Sequence, residues 1–457
     1  MANVEDAEVF SDPNAHVEDG GLHKSIVVLV IILGAQFFLS FITGPLIARV
    51  LGPTDRGRFT FFLTIPQWAI VILGIGAPQA ITYLVASRRF PKSQSLSVVF
   101  TVLLTLGGVI LVLALGLFTL VPAALARLTG LEAVLLTTLS FASISLLVLS
   151  AVLLGLQRTI DYYVFQLLTP FLFLGVLVGL LLTGRFAYLA VIEAYTLLMI
   201  LSCVAVTVWL IKQVGFQFTL SFNYWRPILG YGLKIYVGSI LSMVIVRMDV
   251  FFVTAFLGFT ALGYYAISVQ LAELVYRLAG VFATIRLPKT ASHSKAEADR
   301  TFPAVSRQLI LLSCLSSLLV ALAGIALIRI WLPAFRPSIV ALLLLLPGTA
   351  SLGLANLYFA ELGGRGRAGY GSIVIAINSV MMILLDLVLI PLWGINGAAI
   401  ASSVVYAMGF SFALFAVQRE SGIRFRELIL VRRDDLMIYK TLIQRAKSGL
   451  EAFGSRT

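Results

Sequence analysis

Long apolar runs follow one another along the chain with only short polar breaks, and within each run apolar positions are continuous rather than alternating. A helix crosses a bilayer core with about 20 apolar residues, whereas a spanning strand needs about 10 that alternate. The pattern therefore predicts helices and excludes a strand barrel. Twelve spans are expected, at 25–50, 58–86, 96–120, 133–155, 161–183, 187–211, 228–257, 261–287, 305–331, 337–361, 368–391 and 395–418.

The polar breaks carry a repeat. Residues 51–59 read "LGPTDRGRF" and residues 257–265 read "LGFTALGYY", 206 positions later. At the same offset Gln36 pairs with Ser242, Thr43 with Asp249, Thr64 with Gln270, Gln67 with Glu273 and Ser150 with Asn356, so polar meets polar inside apolar helices. Each motif copy falls in the predicted loop after the first span of a six-span set. Both sets enter the membrane in the same direction, which predicts a parallel repeat about an axis along the membrane normal. The expected fold is all-α: a polytopic protein of about 12 helices in two pseudo-symmetric six-helix bundles around a central cavity. Its parts are a polar segment 1–24, bundles 25–213 and 228–418, a linker 214–227 and a basic tail 419–457.

Composition agrees, with 60% hydrophobic and 12% charged residues and a mean hydropathy of +1.02. The first 24 residues hold six acids and no Lys or Arg before Lys24, the wrong charge for a cleaved signal peptide. The first span is therefore expected to stay. With the N-terminus inside, 23 of the 33 Lys and Arg residues fall on the inner side and seven on the outer, which puts both termini in the cytoplasm. The net charge of +12 follows the inner face, so membrane lipids rather than nucleic acid are its expected counterpart. Trp209, Trp225, Trp331 and Trp393 sit near span ends, as interfacial anchors do. Cys203 and Cys314 lie in separate spans and read as small packing residues.

Charges inside the spans are the candidate chemistry. Lys234, Arg247 and Arg277 would each cost about 2.5–3.5 kcal/mol at a bilayer centre, so they are expected to face protein or water. Glu273 and Arg277 have the spacing of a helix ion pair. Lys234 lies about 20 Å nearer the inner face than Arg247, so the two are candidates to hand an anion across. Ser242 shares a helix face with Lys234 and Asp249, and Gln36 shares one with Ser40 and Thr43. Asp249, Glu273, Glu193, Glu361 and Asp386 either bind a coupling ion or neutralise a buried cation, and both readings stay open. Pro66, Gly74, Gly76 and Pro78 interrupt the second span and are candidate hinges. His16, His23 and His293 lie outside the spans, and no G-x-x-x-x-G-K loop occurs, so neither a buried imidazole nor a phosphate loop is available for enzymatic chemistry.

The stretches "ARVLGPTDRGRFTF", "GIGAPQAITYLVASRR", "GLQRTIDYYVFQLLTP", "YGLKIYVGSILSMVIVRMDVFFVTAFLGFTALGYYAISVQLAEL" and "LIPLWGINGAAIAS" resemble the oligosaccharide flippase family, the Wzx-like polysaccharide biosynthesis proteins. Their superfamily also holds multidrug and toxin extrusion transporters and lipid II flippases. The resemblance implies a transporter, not an enzyme. It would flip an undecaprenyl-diphosphate-linked oligosaccharide across a bacterial plasma membrane by alternating access. It implies a cationic cavity, onto which Lys234 and Arg247 map, with Arg277, Gln36 and Ser242 as further substrate contacts. No cofactor is implied beyond a coupling proton or sodium ion; the partners would be lipid-linked glycan, membrane lipids and a polysaccharide polymerase or export component. The alternatives are an ion-coupled multidrug exporter of the same superfamily and a membrane enzyme of polysaccharide assembly. The enzyme is disfavoured by the short outer loops.

Overall fold

Backbone in hydrocarbon must satisfy its own hydrogen bonds, so the apolar runs fold as helices and the polar breaks become their ends. The computed structural model describes residues 19–90, 94–120, 129–215, 219–292 and 295–431. In chain order the helices are α1 (Asp19–Gly74), α2 (Ala77–Ala86), α3 (Ser95–Leu120), α4 (Gly130–Gly155), α5 (Thr159–Leu182) and α6 (Tyr188–Val214). They are followed by α7 (Trp225–Ser292), α8 (Lys295–Ile330), α9 (Ser338–Gly364), α10 (Gly369–Trp393), α11 (Ile395–Ser421) and the short α12 (Phe425–Ile429). Among the described residues, ten are long and apolar enough to cross a membrane.

Two of the ten are double. α1 breaks at Gly52 (φ 74°, ψ 177°) and α7 at Gly258 (φ 82°, ψ 179°), conformations open only to glycine. Counting each leg gives the twelve expected crossings. The expected loops at the two motifs are corrected to single-residue breaks, because Pro53 and Phe259 restart a helix at once.

The motif copies pack on each other. The Thr54 and Thr260 hydroxyls share a hydrogen bond of 2.8 Å across the 206-residue offset. A Cβ on Gly57 would overlap the Phe259 carbonyl, and one on Gly263 would overlap the Pro53 carbonyl. Both contacts map onto each other under the same offset, so a local two-fold axis runs between the copies. The glycines are what let the two backbones touch. Arg49, just before the first copy, donates to the Trp331 carbonyl and lies 5.6 Å from the Trp331 ring, adding a second strut between the halves.

The opposite end of the bundle, next to the linker, closes differently. α1 stops at Gly74, Ile75 and Gly76 adopt left-handed backbone (φ 43° and 69°), and α2 starts with Pro78 in its first turn. The break expected at Gly74, Gly76 and Pro78 is therefore present. Gly232 of α7 packs on the Ile75 and Gly76 backbone. Tyr231 stacks on Tyr83 at 4.6 Å, and the Tyr236 hydroxyl donates to the Ile72 carbonyl at 2.9 Å.

A hydroxyl ladder on α3 seats the end of the linker. Thr219 N–H, Ser221 N–H and the Trp225 indole donate to Ser97, Thr101 and Thr105 at 3.2, 3.4 and 3.1 Å. The C-terminal half is locked at this same end by an ionic nest. Glu361, fully buried, accepts from Arg365 and Thr290 at 2.7 and 2.6 Å, and Arg365 also reaches Asp299 at 2.7 Å. Glu361 thus neutralises a cation. α12 is tied to α8 by Ser306 and Arg307, which donate to the Leu428 and Glu427 carbonyls. The start of the tail therefore belongs to the bundle; residues 1–18 and 432–457 lie outside the described residues.

Candidate functional site

A cavity of about 610 Å³ lies between α1, α4, α5 and α6 of the N-terminal half and α7 of the C-terminal half. Its counterpart in the C-terminal half has shrunk to about 20 Å³. The two are related position by position: Phe59, Leu63, Gln67, Leu139, Ser143 and Leu146 line the first, and Tyr265, Val269, Glu273, Leu345, Thr349 and Leu352, each 206 residues on, line the second.

The charges of the large cavity stand on α1 and α7 alone. Glu273 receives Arg247 and Arg277, each at 2.9 Å, so one acid answers two cations. Gln67, the repeat mate of Glu273, accepts from Arg247 Nε at 3.3 Å. Asp249 accepts the Tyr265 hydroxyl at 2.6 Å and the Val250 N–H at 2.8 Å. Arg56 is the third cation, 8% exposed. Its Nη2 donates to Gln270 Oε1 at 2.9 Å and its guanidinium lies 5.7 Å from the Phe59 ring, while Nε is buried with no partner. Gln270 is fixed in turn by the Ser40 carbonyl at 2.8 Å, in the space Gly44 leaves. Among the described residues no carboxylate pairs with Arg56. A buried cation in that condition is stable only with an anion or water in reach.

The sequence of the polysaccharide biosynthesis protein family matches over residues 22–288, more than half of the chain. The chain belongs to that family. No curated protein matches it. Among solved structures it is similar to the lipid II flippase MurJ in an inward closed conformation: TM-score 0.66, 15% identity, covering 85% of this chain and 87% of that one. An inward-facing multidrug resistance MATE transporter of the MOP superfamily aligns with TM-score 0.66 and 15% identity over 84% and 94%. The Vibrio cholerae MATE transporter VcmN gives 0.57 and 12% identity over 89% and 97%. Family and fold together make this family member a multi-pass helical membrane protein with the fold of those flippase and transporter structures.

Against that frame of helices the expected site residues separate. Arg247, Arg277, Asp249, Glu273 and Pro66 line the large cavity, and the expected Glu273–Arg277 pair is present. Lys234 is exposed and does not line it. Gln36 and Ser242 also lie off the lining, Ser242 bonding back to the Gly238 carbonyl. Glu193 is exposed on α6. Asp386 is wholly buried in the C-terminal half, and both its oxygens lack a hydrogen-bond partner.

Arg56 is the residue that sequence reasoning missed. It was assigned to a loop, but the one-residue break at Gly52 puts it on the first turn of a helix facing the cavity. A signal was there: the repeat mate of Arg56 is Leu262, so one copy of the motif carries a charge where the other is apolar.

Proposed function

We propose that the chain flips an undecaprenyl-diphosphate-linked glycan from the cytoplasmic to the outer leaflet of a bacterial plasma membrane by alternating access. Both termini are cytoplasmic in this reading, and the end carrying the motif copies faces out. Arg56 carries the proposal: a buried guanidinium without a carboxylate partner lines a cavity whose other cations outnumber the acid they share. Arg56 stands 11 residues, about 16 Å of helix, from Gln67, which touches Arg247. Arg247 with Arg277 forms one anion station and Arg56 a second, nearer the motif end. The diphosphate moves from the first to the second as the linker end closes and the motif end opens.

An inside-negative potential favours this direction. Moving about two negative charges outward releases about 2.3 kcal/mol per charge per 100 mV. The partnerless Asp386 and the nearby Asp249, on α10 and α7, are the groups assigned to a coupling proton or sodium ion. Glu273 and Asp249 are already engaged by arginine and tyrosine, which leaves the cavity poorly suited to the cationic substrates of a drug exporter.

The test is flipping of fluorescent undecaprenyl-diphosphate oligosaccharide in proteoliposomes at matched incorporation. Wild type flips it; Arg56→Gln and Arg247→Gln lower the rate at least tenfold. A wild type that moves no lipid-linked sugar yet expels cationic dyes overturns the proposal in favour of the exporter.

A further inference from the structure

The wall opposite the arginines carries a different chemistry. On α4 three of the six hydroxyls satisfy themselves: Thr137, Ser140 and Ser145 each donate to the carbonyl four residues back, at 2.7–2.8 Å. Ser143 and Ser150 do not. Both line the cavity, seven residues apart on one helix face, and neither has a hydrogen-bond partner among the described residues. The Tyr195 hydroxyl on α6 is in the same condition, its ring held edge-on by Phe173 at 4.9 Å. Gln166 on α5 donates its amide N–H to the Tyr162 hydroxyl at 3.0 Å, which leaves its carbonyl oxygen as an acceptor. Phe165, next to it in sequence, also lines the cavity, its ring 6.2 Å from that of Trp209.

Hydroxyls, an amide oxygen and flat rings, with no charge among them, form a surface for a ligand that is itself rich in hydroxyls and has apolar C–H faces. Hydrogen-bonding groups left without protein partners in an apolar half point to a ligand that supplies them. We infer that the α4–α5–α6 wall is a glycan subsite, and that the sugars it takes are uncharged. The inference rests on the flippase reading above: the arginines of α1 and α7 hold the diphosphate, and Ser143, Ser150, Gln166 and Tyr195 read the first sugars attached to it. A carboxylate-bearing sugar finds no cation on this wall among the described residues and would lose its hydration without compensation.

The division is tested by measuring binding of three probes to the full-length protein in nanodiscs. They are undecaprenyl diphosphate, undecaprenyl-diphosphate N-acetylglucosamine and undecaprenyl-diphosphate glucuronic acid. Wild type binds the neutral sugar lipid about tenfold more tightly than the bare diphosphate, the equivalent of one or two net hydrogen bonds, and the acidic one no better than the bare diphosphate. The variant Ser143→Ala/Ser150→Ala/Tyr195→Phe removes that preference and keeps affinity for the bare lipid, and Gln166→Leu alone weakens it. Equal loss for all three probes, or acidic sugar bound as tightly as neutral sugar, overturns the subsite. Binding of none of the lipids by wild type overturns the flippase reading itself, a result distinct from the others.

Discussion

The two halves of this molecule are built on one repeat, yet the N-terminal helices, with α7, surround about 610 Å³ and the equivalent place within the C-terminal half holds about 20 Å³. The difference lies in a few side chains and one helix. Where the N-terminal half has Thr43, Phe59 and Ile70, the C-terminal half has Asp249, Tyr265 and Tyr276, and the Tyr265 hydroxyl bonds Asp249 within that space. α5 buries only Thr169, Phe173 and Leu177, whereas its counterpart α10 buries twice as many residues and closes against α7 and α11. A duplicated fold can thus keep an open cavity beside one half and leave the other as a packed, ionically locked frame.

That contrast can be broken deliberately. Writing the plug of the C-terminal half into the N-terminal half, as Thr43→Asp/Phe59→Tyr/Ile70→Tyr, is expected to abolish transport while the protein still folds; flipping and thermal unfolding measured on one preparation check it. Next in size is Glu273→Ala, which strands Arg247 against the cavity wall and costs about 3–5 kcal/mol, read as a lowered unfolding midpoint in detergent. Arg277 is half exposed and adds little to that loss. Gly263→Ala puts a methyl group against the Pro53 carbonyl where the motif copies meet backbone to backbone, and about 2 kcal/mol of stability goes with it. If its midpoint matches wild type, the motif copies do not touch. Smallest is Thr54→Val, which removes a single exposed hydrogen bond to Thr260, about 1 kcal/mol or less, visible as easier opening of the motif end in hydrogen exchange.

Much of this arrangement was legible in the sequence. Apolar run length gave the crossings, because hydrocarbon allows so few backbone solutions. The offset of 206 was readable since polar residues inside apolar helices are rare enough for their coincidence to carry information, and Gln67 and Glu273 do meet on one arginine. That Lys234 stands off the cavity lining was not legible, because depth along a helix says nothing of which neighbour covers that face. Arg56 escaped because a single left-handed glycine turns an apparent loop into helix. The unequal cavities were out of reach, since volume depends on how closely α5 and α10 pack rather than on any local pattern.

The most direct test of the central claim maps where the substrate headgroup sits. A photoreactive undecaprenyl-diphosphate glycan is crosslinked to the wild-type protein and the labelled peptides are identified. The account predicts label on residues 56–67 of α1 and on α4 and α5, with none on α9 to α11. Label concentrated on α9 to α11 would contradict it, because the packed half would then be the one that binds.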